Sequence, residues 1–96
     1  GKAEWYFENE QLSLEYTYDN GLIIDTAYAY YKEGQLKAKY IYSNNQLNGE
    51  KTTYYPSGKI KEKGFFRNDK KHGHFCDYDT LGYKNNCIQY KNGVKQ

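Results

Sequence analysis

The chain has no methionine, one tryptophan and two cysteines. Once its 13 tyrosines are set aside, only about a quarter of its 96 residues are wholly apolar. A thick hydrocarbon core is therefore excluded, and tyrosine must supply the buried area. Its ring covers roughly 150–250 Å² while the hydroxyl stays free to reach water or a partner. No run of about 18 apolar residues exists, which excludes a membrane-spanning helix. No long stripe of 3.6-residue period is present either, and alternation dominates instead. Charge of one sign is also lacking. Lys and Arg number 14 against 12 Asp and Glu, a net charge of +2, and the lysines are scattered among the acids. The electrostatic footprint of a nucleic-acid or anionic-membrane binder is missing. The chain opens Gly1-Lys2-Ala3 rather than on methionine, which a purification scar, a removed signal peptide or excision from a longer array would each explain.

What the chain does have is one pattern written four times. Tyr6, Tyr30, Tyr54 and Tyr78 form one column, and Gly34, Gly58 and Gly82 another, with Glu10 in the place of the first glycine. Three more columns keep step: Leu12, Leu36, Ile60 and Lys84; Tyr18, Tyr42, Phe66 and Tyr90; Asn20, Asn44, Asn68 and Asn92. A fixed period of roughly 20–50 residues marks a repeat array whose units cannot bury their apolar faces alone. The boundaries are approximately 2–25, 26–49, 50–73 and 74–96, within a single domain 1–96. The first unit has Glu10 and Asp25 in glycine positions, so the array is expected to end on that side. In the last unit Lys84 reads as a polar cap, although Gly93–Gln96 stops just before the next glycine of its column would fall, so truncation stays open.

Each unit predicts two strands. Tyr55-Pro56-Ser57-Gly58 specifies a type I turn followed by a left-handed glycine, a hairpin with a glycine bulge. In this register Tyr54 faces Ile60, Thr52 faces Glu62 and Tyr28 faces Ala38. The asparagine column supplies two-residue return turns. Its parity requires one residue to be absorbed, and Gly49 and Gly73 are the places for it. The expected fold is all-β: an antiparallel meander of about eight strands forming one elongated, twisted, single-layer sheet, with tyrosines on one face and lysine and small residues on the other. Gly34, Gly49, Gly58, Gly73 and Gly82 are its turn glycines.

The stretch Tyr54-Tyr55-Pro56-Ser57-Gly58-Lys59-Ile60-Lys61-Glu62-Lys63-Gly64-Phe65-Phe66-Arg67-Asn68-Asp69-Lys70-Lys71-His72-Gly73 resembles the bacterial variant of the MORN repeat (membrane occupation and recognition nexus). Tyr30 through Gly49 is similar. The outer units depart from the pattern at Glu10, Asp25, Lys84 and Cys87-Ile88. The resemblance implies a curved sheet of β-hairpins acting as a scaffold for proteins, and sometimes lipids. It also implies kinship with antitoxins of the YwqK type, which partner a toxin. The expected function is a non-catalytic protein-interaction module, an antitoxin or immunity protein, without cofactor or metal. The alternative is a secreted or envelope-associated segment that binds lipid or glycan.

Among individual residues, His72, His74, Cys76 and Asp77 are the densest set of potential ligands. A zinc site or a Cys-His nucleophile pair is weighed against surface histidines, and the last is the expectation, because a bulge at Gly73 breaks the shared face. Carrying the hairpin register forward sets Cys76 opposite Asn86 and Cys87 opposite Phe75. Two free thiols and a cytoplasmic setting are then expected, or a secreted or envelope setting if a signal peptide was removed. The lysine surface of Lys37, Lys39, Lys59, Lys61 and Lys63 reads first as edge protection. Partner contact is expected at the turn shoulders Phe7, Tyr31 and Tyr55 with Lys37, Lys39, Lys59 and Lys61, since exposed aromatics are enriched at hot spots.

Overall fold

The turns set the strand lengths. In the computed structural model, which describes Gly1–Gln96, the Gly58 N–H donates to the Tyr55 carbonyl and the Tyr55 N–H to the Lys59 carbonyl, both at 2.8 Å. Gly58 has φ 95°. The same two bonds close Phe7–Gln11, Tyr31–Gln35 and Asp79–Tyr83. Glu10, at φ 71°, adopts the left-handed conformation that its glycine counterparts hold more easily. The alternate turns Asn20-Gly21, Asn44-Asn45, Asn68-Asp69 and Asn92-Gly93 have positive φ at both residues, the two-residue geometry that matches strand twist.

Between these turns run β1 (Lys2–Tyr6), β2 (Leu12–Asp19), β3 (Leu22–Tyr30), β4 (Leu36–Ser43), β5 (Gln46–Leu47), β6 (Gly49–Tyr54), β7 (Ile60–Arg67), β8 (Lys70–Lys71), β9 (Gly73–Tyr78), β10 (Lys84–Lys91) and β11 (Val94–Lys95). They form one antiparallel sheet in the order β1-β2-β3-β4-β6-β7-β9-β10-β11, with β5 on β4 and β8 on β7. This is the all-β meander of the sequence reading. The strand count exceeds eight because return strands break near Gly49 and Gly73. There the pairing passes from Tyr42 with Leu47 to Lys39 with Thr52, and from Phe66 with Lys71 to Lys63 with Cys76. Each glycine thus sits in a stretch that absorbs two residues rather than one.

A further residue is absorbed in every tight hairpin, and this corrects the expected register. Tyr54 does pair with Ile60, but Thr53 pairs with Glu62 and Thr52 with Lys63. Tyr30 pairs with Leu36, but Tyr28 pairs with Lys39 and Ala29 with Ala38. Lys37, Lys61 and Asn85 are bulge residues, with Ser13 in the same role between Tyr6–Leu12 and Trp5–Leu14. A one-residue slip exchanges the faces of everything beyond it, so tyrosines occupy both faces rather than one. Ala38, Thr53, Glu62 and Asp77 follow one another across the first face. Tyr28, Lys39, Thr52, Lys63, Cys76 and Cys87 follow one another across the second.

The same slip overturns the expectation of free thiols. Cys76 lies directly opposite Cys87 and the two form a disulfide, with Cα atoms 4.0 Å apart. The body measures 40 × 35 × 15 Å, a single layer. Only Ala27, Ala38, Thr52, Gly64 and Phe75 are buried, so the sheet is held by its hydrogen-bond ladder, its inter-repeat bonds and stacked rings rather than by an enclosed core.

Candidate interaction surface

Successive repeats are stitched along both margins of the sheet. On the asparagine-turn margin, the Asn45 N–H donates to the Ile23 carbonyl at 2.9 Å and the Ile23 N–H donates back to Asn45 Oδ1 at 2.6 Å. Asp69 makes the same reciprocal pair with Leu47, at 2.9 and 2.6 Å. On the tight-turn margin, the Tyr31 hydroxyl donates to the Tyr54 carbonyl at 2.5 Å and the Tyr55 hydroxyl to the Tyr78 carbonyl at 2.7 Å. Phe7, in the same column, has no hydroxyl to offer. All three shoulder residues are half-buried, so Tyr31 and Tyr55 hold the array together.

The bulges bring lysines to these shoulders. Lys37 Nζ lies 5.8 Å from the Tyr31 ring centroid and Lys61 Nζ lies 5.9 Å from that of Tyr55, within cation–π range. Two open grooves result. One, of about 200 Å³, is lined by Tyr31, Lys37, Tyr40, Lys51 and Lys61 among others. The next, of about 450 Å³, runs past Tyr55, Lys61, Glu62, Asp77, Asp79 and Thr80. Lys59 is exposed, its side chain beside Gly82. Lys39 stands apart, lining a groove of about 130 Å³ with Tyr28, Ile41, Glu50 and Thr52. The lysines expected on one surface are thus divided by the bulges.

An aromatic run lies on the first face of this single-layer sheet, with no second layer above it. Tyr16 stacks edge-on against Trp5 and Tyr42, with ring centroids 5.6 and 5.8 Å away. Phe75 stacks edge-on against Phe66 and Tyr90, both at 5.4 Å. Lys51 lies between Tyr40 and Phe66, 5.7 and 5.9 Å from their ring centroids. Lys71 lies 5.1 Å from Phe75 and 4.9 Å from Tyr90. Burial, with the adjoining Tyr16, pushes the Tyr42 hydroxyl up to about 12. The ion pairs Lys51–Glu62 at 3.3 Å and Lys63–Glu50 at 3.8 Å lie on opposite faces and are solvated enough to contribute little stability. The signal for this surface was the column Tyr18, Tyr42, Phe66 and Tyr90. Its alternation was legible, but whether anything covered it was not.

The potential ligand set does not converge. Cys76 is held in the disulfide, His72 Nδ1 accepts the Asn92 N–H at 3.4 Å, and Asp77 accepts the Asn86 N–H at 3.0 Å on the face opposite Cys76. No three His, Cys, Asp or Glu side chains are grouped to hold a metal ion.

The family model described as the MORN repeat variant matches residues 1–20 and 47–68. The first stretch takes in the β1–β2 hairpin and the second the β6–β7 hairpin. These two stretches, less than half of the chain, are similar to the MORN repeat variant, whose repeats are generally binding modules for proteins or membranes and not typically catalytic. No curated protein and no solved structure matches the chain.

Proposed function

We propose that this chain is a non-catalytic protein–protein interaction module that works as a bacterial antitoxin or immunity protein of the YwqK type, binding a partner toxin. The observation that carries the reading is the recurrence of one surface element, a shoulder tyrosine with a bulge lysine above it, at Tyr31 with Lys37 and Tyr55 with Lys61. A broad open sheet with repeated aromatic and cationic contacts suits a protein surface, where aromatic residues anchor and charges steer. Because Tyr31 and Tyr55 also tie the repeats, the lysines are the cleaner probes. Co-purification with the product of the neighbouring gene should give a stoichiometric complex, and Lys37→Glu with Lys61→Glu should weaken it tenfold or more without lowering the melting temperature. A complex indifferent to both substitutions, or none at all, rejects the reading.

The second reading, a secreted or envelope-associated segment binding lipid or glycan, is favoured by one observation, the Cys76–Cys87 disulfide. Such bonds persist in oxidising compartments. Co-sedimentation with phosphatidylglycerol vesicles, dependent on the same lysines, would support it over the first.

A further inference from the structure

Every internal junction between repeats is built alike, and the two open edges of the sheet carry the halves of one more. Where β9 joins β7, Glu62 faces Asp77 and Lys63 faces Cys76. At the asparagine-turn margin, the Asn45, Asp69 and Gly93 N–H groups donate to the Ile23, Leu47 and Lys71 carbonyls at 2.8–2.9 Å. The strand that the same pattern would set beside β10 corresponds, column for column, to β1: Tyr6 is the counterpart of Tyr30, Tyr54 and Tyr78. β1 is paired only with β2, and β10 only with β9 and, at Tyr90 and Lys91, with β11.

We propose that copies of this chain associate head to tail, β1 of one copy adding to the open edge of β10 of another in the register of the internal junctions. That register sets Asn86 against Trp5 of the second copy, Cys87 against Glu4, Ile88 against Ala3 and Gln89 against Lys2. No like charges oppose one another. The bulky Ile88 meets the small Ala3, just as Tyr40 pairs with Ala27 inside the sheet.

A second observation points to the same occupant. The last tight turn carries Leu81 and Tyr83, each 70% exposed, in columns that are otherwise polar: Asn9, Glu33 and Ser57 for the first, and Gln11, Gln35 and Lys59 for the second. Inside the array the second column rests on the following turn. Gln11 lies against Gly34, Lys59 lies beside Gly82, and Gln35 Nε2 donates to the Pro56 carbonyl at 3.3 Å. Tyr83 therefore stands ready for the turn of an incoming Phe7–Glu10. The opposite edge exposes Trp5 and Tyr6, at 46% and 59%. Exposed apolar residues thus stand on two different edges, β1 and the turn before β10, that the repeat geometry makes complementary. Since the two surfaces differ, the contact is heterologous and does not close on itself in a pair.

Sedimentation velocity and light scattering over a wide concentration range test this. The mass should rise from the 11.4 kDa monomer through multiples as concentration increases. Trp5→Glu, with Ala3→Glu as a second head variant in case loss of the Tyr16 stack unfolds the first, should remain monomeric. Tyr83→Glu with Leu81→Glu should remain monomeric from the tail side. Mixing a folded head variant with the tail variant restores one intact contact, so the mixture should form a dimer and stop there. A wild-type chain that stays monomeric overturns the proposal. So does self-assembly of either variant alone, or a mixture that stays monomeric while the wild type assembles.

Discussion

The Phe75 ring lies over Gly64 so closely that a β-carbon on the glycine would stand 2.3 Å from Phe75 Cε1. Phe75 is among the few buried residues, and its ring is flanked edge-on by Phe66 and Tyr90, so it has little room to retreat. Gly64→Ala should therefore destabilise the sheet by about 1–3 kcal/mol, the range of an overpacked site. Gly64 does not have positive φ, so the loss is steric. Phe75→Leu in the same chain should recover part of it. Urea denaturation of the two single variants and the double variant measures the coupling; strict additivity would show that the ring and the glycine are independent.

The tyrosine stitches make a paired prediction. Tyr55→Phe removes the bond to the Tyr78 carbonyl and should lower stability by about 0.5–1.5 kcal/mol. Phe7→Tyr supplies the missing member of the column, with the Tyr30 carbonyl as its acceptor, and should raise stability by a similar amount. Thermal melting of both variants is sufficient. A neutral Tyr55→Phe would mean that water replaces the hydroxyl without loss.

The disulfide closes an 11-residue separation, and constraining a loop of that size contributes about 2–3 kcal/mol. Reduction, or Cys76→Ser with Cys87→Ser, should lower stability by roughly that amount, and the intact oxidised chain should show no titratable thiol under denaturing conditions. Detection of two free thiols in freshly purified protein would contradict the pairing.

Tyr42 gives a pH dependence whose sign is fixed. Its hydroxyl is pushed from an ordinary 10.0 up to about 12, first by burial and then by Tyr16. The folded state therefore favours the neutral phenol, and the contribution is whole below pH 10 and lost as pH rises towards 12. The urea midpoint should fall across that window, and less steeply in Tyr42→Phe. Equal slopes in the two proteins would assign the fall to other groups.

The turns were legible because they demand particular backbones. Gly58 and the asparagine column announce positive φ, and the meander follows from them. The bulges at Lys37, Lys61 and Asn85 were not legible. None of these residues has positive φ, so any side chain serves and composition carries no mark. That omission moved Cys76 from Cys87 to Asn86 and set Lys37 and Lys39 on one surface. The shoulder residues Tyr31 and Tyr55 were noticed, but their acceptors are backbone carbonyls 23 residues further on, which no side-chain pattern encodes.

At 15 Å through its shortest dimension, the sheet has no interior in which an amide could be sheltered by depth. Protection from deuterium exchange then depends on how many flanking strands must let go first. It should be greatest around β4, β6 and β7 and decline towards β1 and β10. Loss of order in such a body travels sideways, strand by strand from its two edge strands, as a woven ribbon frays.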